Sequence, residues 1–88
     1  MKYFMDDASK EVYQKQLGKQ IRRLREERNL SQSELGALFG GRDKQVISRF
    51  ENGMVDPKGS TLIGLAKAFG IRLAELMNFD YDNGDSKT

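Results

Sequence analysis

Hydrophobic positions recur through most of the chain at three- and four-residue spacings, the pattern of amphipathic helices. Tyr13, Leu17, Ile21 and Leu24 fall on one stripe and predict a helix from about Ser9 to Arg28. Gly18 weakens that segment by about 1 kcal/mol against alanine, so the turns before it are expected to fray or stand apart. Leu30 then leads into Ser31-Gln32-Ser33-Glu34, a capping box that opens a second helix carrying Leu35, Leu38 and Phe39. Gly40-Gly41 stops it, and Asp43 is placed to cap a third helix, Lys44 to Glu51, ending at Asn52-Gly53. Residues 53–59 hold the only proline, Pro57, and read as a loop. Ser60 or Thr61 opens a fourth helix with Leu62, Leu65, Ala66 and Phe69, closed by Gly70, and a short fifth helix fits Leu73 to Met77. Val, Ile and Thr never alternate over a strand length, so the fold class is all-α. The expected organisation is an N-terminal arm at 1–9, one domain at 10–77 and a polar, disordered tail at 78–88.

Composition narrows the chemistry. At 88 residues the chain suits a single domain rather than a deep catalytic cleft. It has no cysteine and no histidine, which removes disulfides, thiol nucleophiles, cysteine zinc sites and the commonest general base. No enzyme activity, metal or cofactor is expected, because no pair of carboxylates is placed in a cleft. No apolar run reaches the ~20 residues of a membrane span, and the N-terminus turns acidic too soon for a signal peptide, so the expected compartment is the cytoplasm. Net charge is +2, but it is unevenly spread: residues 10–72 hold 13 basic and 7 acidic side chains, while both ends are acidic. A basic body suits a polyanionic partner.

The third helix is where that charge acquires pattern. With Lys44 at zero, Ser48 falls at about 40°, Asn52 at about 80°, Gln45 at about 100° and Arg49 at about 140°. Val46, Phe50 and Ile47 gather between about 200° and 300°, leaving one apolar face and one of Lys, Gln, Ser and Arg. Those are the side chains that hydrogen-bond base edges: Lys or Arg to guanine, Gln to adenine, Ser to either. An ordinary solvated helix face has the same pattern, so the helix alone does not decide.

The surrounding motifs do. Leu30-Ser31-Gln32-Ser33-Glu34-Leu35, Ile47-Ser48-Arg49-Phe50-Glu51-Asn52-Gly53, and Leu65-Ala66-Lys67-Ala68-Phe69-Gly70-Ile71 occur in order, preceded by Ile21-Arg22-Arg23-Leu24-Arg25. Residues 17–77 thereby resemble the Cro and phage-repressor type of helix-turn-helix domain, the XRE family. The resemblance implies a compact, lambda-repressor-like five-helix bundle whose third helix enters the major groove. It also implies roles by position. Lys44, Gln45, Ser48 and Arg49 would read bases, whereas Gln32, Arg42, Asn52 and Lys58 would contact phosphates. Gln32 would in addition brace the reading helix, Asn52 would offer its backbone amide, and Arg25 would pair with Glu51 in a structural role.

The function so implied is a sequence-specific transcriptional regulator, a repressor, binding a palindromic operator on double-stranded DNA as a homodimer. Leu73, Leu76, Met77 and Phe79 are the expected dimer contacts. The alternative from another class is the antitoxin of a toxin–antitoxin pair, with a toxin protein as second partner. One departure stands out: between Leu35 and Ile47 the chain is one residue longer than the family's usual turn, near Gly40-Gly41. That places Lys44 and Gln45 less firmly than Ser48 and Arg49. Gly36 also stands where the family usually has alanine. Asp80 to Gly84 imitates a calcium loop but has its glycine one position early, and Tyr3, Phe4 and Met5 read as packing or interface residues.

Overall fold

The computed structural model describes residues 5–81 of the chain, and the expectations for Tyr3, Phe4 and residues 82–88 lie outside them. Five helices follow one another: α1 (Asp7–Glu27), α2 (Gln32–Leu38), α3 (Lys44–Glu51), α4 (Gly59–Phe69) and α5 (Leu73–Leu76). There is no strand among the described residues.

Local chemistry explains most of the boundaries. Asp6 accepts the Ser9 amide at 2.8 Å and starts α1 earlier than the hydrophobic stripe suggests. At α2 the capping box is complete: Ser31 Oγ accepts the Glu34 amide at 3.0 Å, and the Ser31 amide donates to Glu34 Oε1 at 2.8 Å. Asp43 caps α3 by accepting the Gln45 amide at 3.0 Å. Gly70, at φ +73°, closes α4 in the left-handed conformation that favours glycine. That helix starts at Gly59, with Lys58 as its N-cap and no side-chain cap, rather than at Ser60 or Thr61.

The apolar faces converge on one core. Leu17, Ile21 and Leu24 of α1 meet Leu35 and Phe39, Ile47 and Phe50, Leu62, Leu65, Ala66 and Phe69, and Leu76. Leu38 departs from the expected apolar set of α2 and is 57% exposed, because the helix ends there and its last residue points away from the bundle.

Gly18 does not break α1, which is continuous through it. The glycine is buried where the end of α3 crosses, and a Cβ there would stand 2.5 Å from the Glu51 carbonyl oxygen and 2.6 Å from that of Phe50. A missing side chain thus admits the neighbouring backbone.

The C-terminal region is tied down further than a frayed tail would be. Buried Gln20 donates to the carbonyls of Leu76 at 3.1 Å and Glu75 at 3.3 Å, satisfying the exposed end of α5. Phe79 stacks on Tyr13 with ring centroids 6.3 Å apart and meets Tyr81 edge-on at 6.4 Å. Of the expected dimer contacts, Leu76 is fully buried in this core, Met77 and Phe79 are half-buried, and Leu73 is exposed. Leu76 is therefore excluded as a dimer contact.

Candidate nucleic-acid interface

α3 is amphipathic in place as in sequence. Ile47 and Phe50 are buried, the Phe50 ring meeting Phe39 edge-on at 6.0 Å. On the opposite side Lys44, Gln45 and Arg49 are exposed, and Ser48 is half-buried with its Oγ accepting from Asn52 Nδ2 at 3.3 Å. The structure thus brings the four candidate base-reading side chains together on one solvent-facing strip. Lys44, Gln45 and Arg49 are the exposed members, and their side chains are of the types that hydrogen-bond base edges.

The C-terminal end of α3 is held by a buried polar lock. Arg25 Nε donates to Glu51 Oε2 at 2.6 Å and its Nη2 to Oε1 at 3.0 Å, a bidentate pair with side chains only 11% and 3% exposed. Arg25 Nη1 also donates to the Leu30 carbonyl at 2.8 Å, tying in the turn before α2. The hydrogen bond to Glu51 raises the Arg25 pKa further above its ordinary value, outweighing the opposing effect of burial. Gln32 Nε2 donates to Glu51 Oε1 at 3.1 Å, so the first residue of α2 is anchored to the last of α3.

The N-terminal end of α3 is held differently. Gly40 and Gly41 both adopt φ +72°, reversing the chain in consecutive left-handed steps. The reversal brings the Arg42 amide to the Gly36 carbonyl at 2.8 Å. A Cβ on Gly36 would overlap the Arg42 carbonyl oxygen, which is the physical reason for glycine rather than alanine at that position. The longer turn is therefore folded back over α2. Arg42 is exposed, with its guanidinium 4.9 Å above the centre of the Phe39 ring.

The candidate phosphate contacts are less uniform. Asn52 is exposed at the end of α3, but its backbone N–H donates to the Ser48 carbonyl at 2.9 Å. Gly53 and Met54 also spend their amides, on the carbonyls of Phe50 and Arg49. The expected backbone contribution of Asn52 is thus occupied within the helix end, and its side-chain Nδ2 donates to Ser48 Oγ on the exposed side of the helix. Lys58 is exposed at the start of α4. Nothing in the sequence pattern singles out Lys15, yet Gly53 rests on it: a Cβ there would lie 3.0 Å from both Lys15 Cα and Cγ. Only the fold reveals that proximity, since 38 positions separate the two residues.

Among the described residues no three acidic side chains are grouped to hold a metal ion, and no helix is long and apolar enough to cross a membrane. The family model described as helix-turn-helix, HTH_3, matches residues 21–76. The controller protein C.AhdI of a restriction-modification system from Aeromonas hydrophila is similar at 28% identity and a TM-score of 0.68, over 81% of this chain and 99% of that one. The P22 c2 repressor, solved in complex with a synthetic operator, gives 29% identity and a TM-score of 0.64 over 74% and 97%. An HTH_3 family transcriptional regulator from Vibrio cholerae gives a TM-score of 0.70 at 24% identity, and the match spans 76% of this chain and 37% of that longer one. No curated protein sequence matches the chain.

Proposed function

The chain belongs to the helix-turn-helix family of Cro and phage-repressor type, and on that premise we propose that it represses transcription by binding a palindromic operator as a homodimer. The observation that carries the reading is the outward strip of Lys44, Gln45, Ser48 and Arg49 on a helix whose far end is fixed by the Arg25–Glu51 pair. In the major groove, Arg49 donates two hydrogen bonds to guanine O6 and N7, Gln45 pairs with adenine N6 and N7, and Lys44 and Ser48 complete the strip. Arg42, Lys58, the Asn52 side chain and Gln32 face the flanking phosphates, which set register without reading sequence. Repression then follows from occupancy, because a protein seated on the operator blocks access to the same DNA.

A dimer supplies what one module lacks, since a single such unit buries only about 600–1,000 Å² against DNA. Leu73, 38% exposed, with half-buried Met77 and Phe79, is the contact left once Leu76 is assigned to the core.

Selection of bound sequences from a random duplex pool by the full chain tests the proposal. The expected product is a palindrome with half-sites about 34 Å apart, one turn of DNA. Absence of any enriched sequence overturns base reading. Enrichment of single, non-palindromic sites by a monomer overturns the dimer and leaves base reading standing.

A further inference from the structure

The helix-turn-helix match begins at residue 21, but α1 begins at Asp7, so fourteen residues of ordered helix precede it. This extension is fixed against the rest of the domain at several points. Gly18 lies under the carbonyls of Phe50 and Glu51, the Lys15 backbone lies against Gly53, and Tyr13 stacks on Phe79. Any charge it carries is therefore held in a set position relative to α3 and the loop after it.

α1 treats its cations in opposite ways before and after Gln20. After Gln20 every arginine has a carboxylate: Arg22 with Glu26 at 3.2 Å, Arg23 with Glu27 at 2.7 Å, Arg25 with Glu51 at 2.6 Å and, just past the helix, Arg28 with Glu27 at 4.0 Å. Before Gln20, Lys15 and Lys19 are exposed and, among the described residues, no carboxylate lies within 4.0 Å of either ammonium. They stand one turn apart, so they share a strip of the helix surface. Lys15 is the member packed against the loop that leads from Asn52 to Lys58.

We propose that Lys15 and Lys19 form a phosphate contact of their own, extending the DNA footprint past the end of the reading helix. The proposal rests on the DNA-binding reading above and adds to it a contact made by residues outside the helix-turn-helix match. Two unneutralised ammonium groups on a rigid helix, beside a loop that already carries Asn52 and Lys58, suit the regular charge of a duplex backbone. They have no geometry for reading a base. They hold the complex without changing its preferred sequence.

The test measures affinity of the full chain for its selected operator over a salt series, in wild type, Lys15→Gln with Lys19→Gln, the same pair changed to Arg, and Lys10→Gln. Glutamine keeps the Cβ and Cγ that pack on Gly53, and a melting scan of each variant verifies folding. Each phosphate contact contributes about 0.9 to the slope of log K against log salt, so the double glutamine variant should flatten it by about 1–2. At the full value, the wild-type advantage shrinks roughly tenfold between 50 and 200 mM salt. The arginine pair restores the slope, Lys10→Gln leaves it unchanged from a different face of α1, and base preference is the same in all. An unchanged slope in the double glutamine variant overturns the proposal, as does an equal effect of Lys10→Gln, which marks a diffuse field instead of a contact. If wild type itself selects no sequence, the function proposed above fails, and that outcome is separate from either.

Discussion

The two ends of α3 are held by different means. At its C-terminal end, Glu51 is buried under two charge-assisted bonds from Arg25 and one from Gln32, while Gly18 and Gly53 admit backbone at close range. At its N-terminal end, an exposed Asp43 caps one amide, and the turn before it runs through two left-handed glycines whose would-be Cβ atoms meet nothing. Both ends belong to one eight-residue helix. At Gly40 and Gly41 the turn stands in open space and accepts an extra residue there, whereas a buried ion pair resists displacement. The lock fixes the helix axis, and the turn sets how far the first residues project.

The largest effect expected from that contrast is on stability. Glu51→Ala strands the Arg25 guanidinium in a site only 11% exposed and removes the acceptor of Gln32. Breaking a buried pair this way costs about 3 kcal/mol, which for a domain of this size lowers Tm by roughly 12–24 °C. Thermal unfolding without DNA measures it. A shift of under about 4 °C, the equivalent of 1 kcal/mol or less, would show that the lock holds no more tightly than the turn.

The lock was legible as a family resemblance and the caps as local chemistry, because Ser31, Glu34, Asp43 and Gly70 act on amides within a few residues. Core positions followed from periodicity for the same reason. Most of the misreadings turn on distant contacts. Gly18 looks like a helix breaker by propensity, yet its function is set by a carbonyl 33 positions away at Glu51. Leu76 looks like a surface residue of a short terminal helix, but it is buried on the core next to the Gln20 amide that caps α5. The Asn52 amide is a nearer case, and looks available until the Ser48 carbonyl is seen to accept it. Lys15 carries no local signal whatever.

On DNA, the contrast predicts unequal readers. Arg49 sits two residues before Glu51 and is positioned by the lock, so Arg49→Ala should cost about 2 kcal/mol at one base pair and relax selectivity there. Lys44→Ala and Gln45→Ala, at the end supported by the turn, should each cost less than that. Binding of the three variants to the selected operator and its single-base changes gives the comparison. A Gln45→Ala penalty larger than that of Arg49→Ala would mean the turn orients its end as firmly as the lock.

Two glycines sharpen the same point. Gly18→Ala gains helix propensity worth about 1 kcal/mol, but its methyl meets the Glu51 and Phe50 carbonyls at 2.5 and 2.6 Å. Overpacking of that kind costs about 1–3 kcal/mol, and because both neighbours are backbone in the lock we expect a net loss of about 1 kcal/mol. Gly36→Ala drives its methyl into the Arg42 carbonyl, and there the open turn can shift. Its stability loss should be the smaller, with the effect moved to base preference at the positions facing Lys44 and Gln45. Equal losses of stability in the two variants would argue that the turn is as rigid as the helix crossing.

The smallest effect isolates the cap. Asp43 accepts the Gln45 amide at 3.0 Å, and it is also a negative charge at the edge of the surface proposed to meet DNA. Asp43→Ala removes both properties, whereas Asp43→Asn removes the charge and keeps a side-chain acceptor of nearly equal capping strength. Loss of the cap should cost about 1 kcal/mol of stability, a few degrees in Tm, and the asparagine variant should recover most of it. On the operator the two variants should part again. The asparagine variant should bind as well as wild type or better, having lost only a repulsion, while the alanine variant should lose selectivity at the bases opposite Lys44 and Gln45. If alanine and asparagine behave alike on DNA, the cap does not orient the first turn of α3. Its direction would then come wholly from the buried end, and the N-terminal turn would be a spacer.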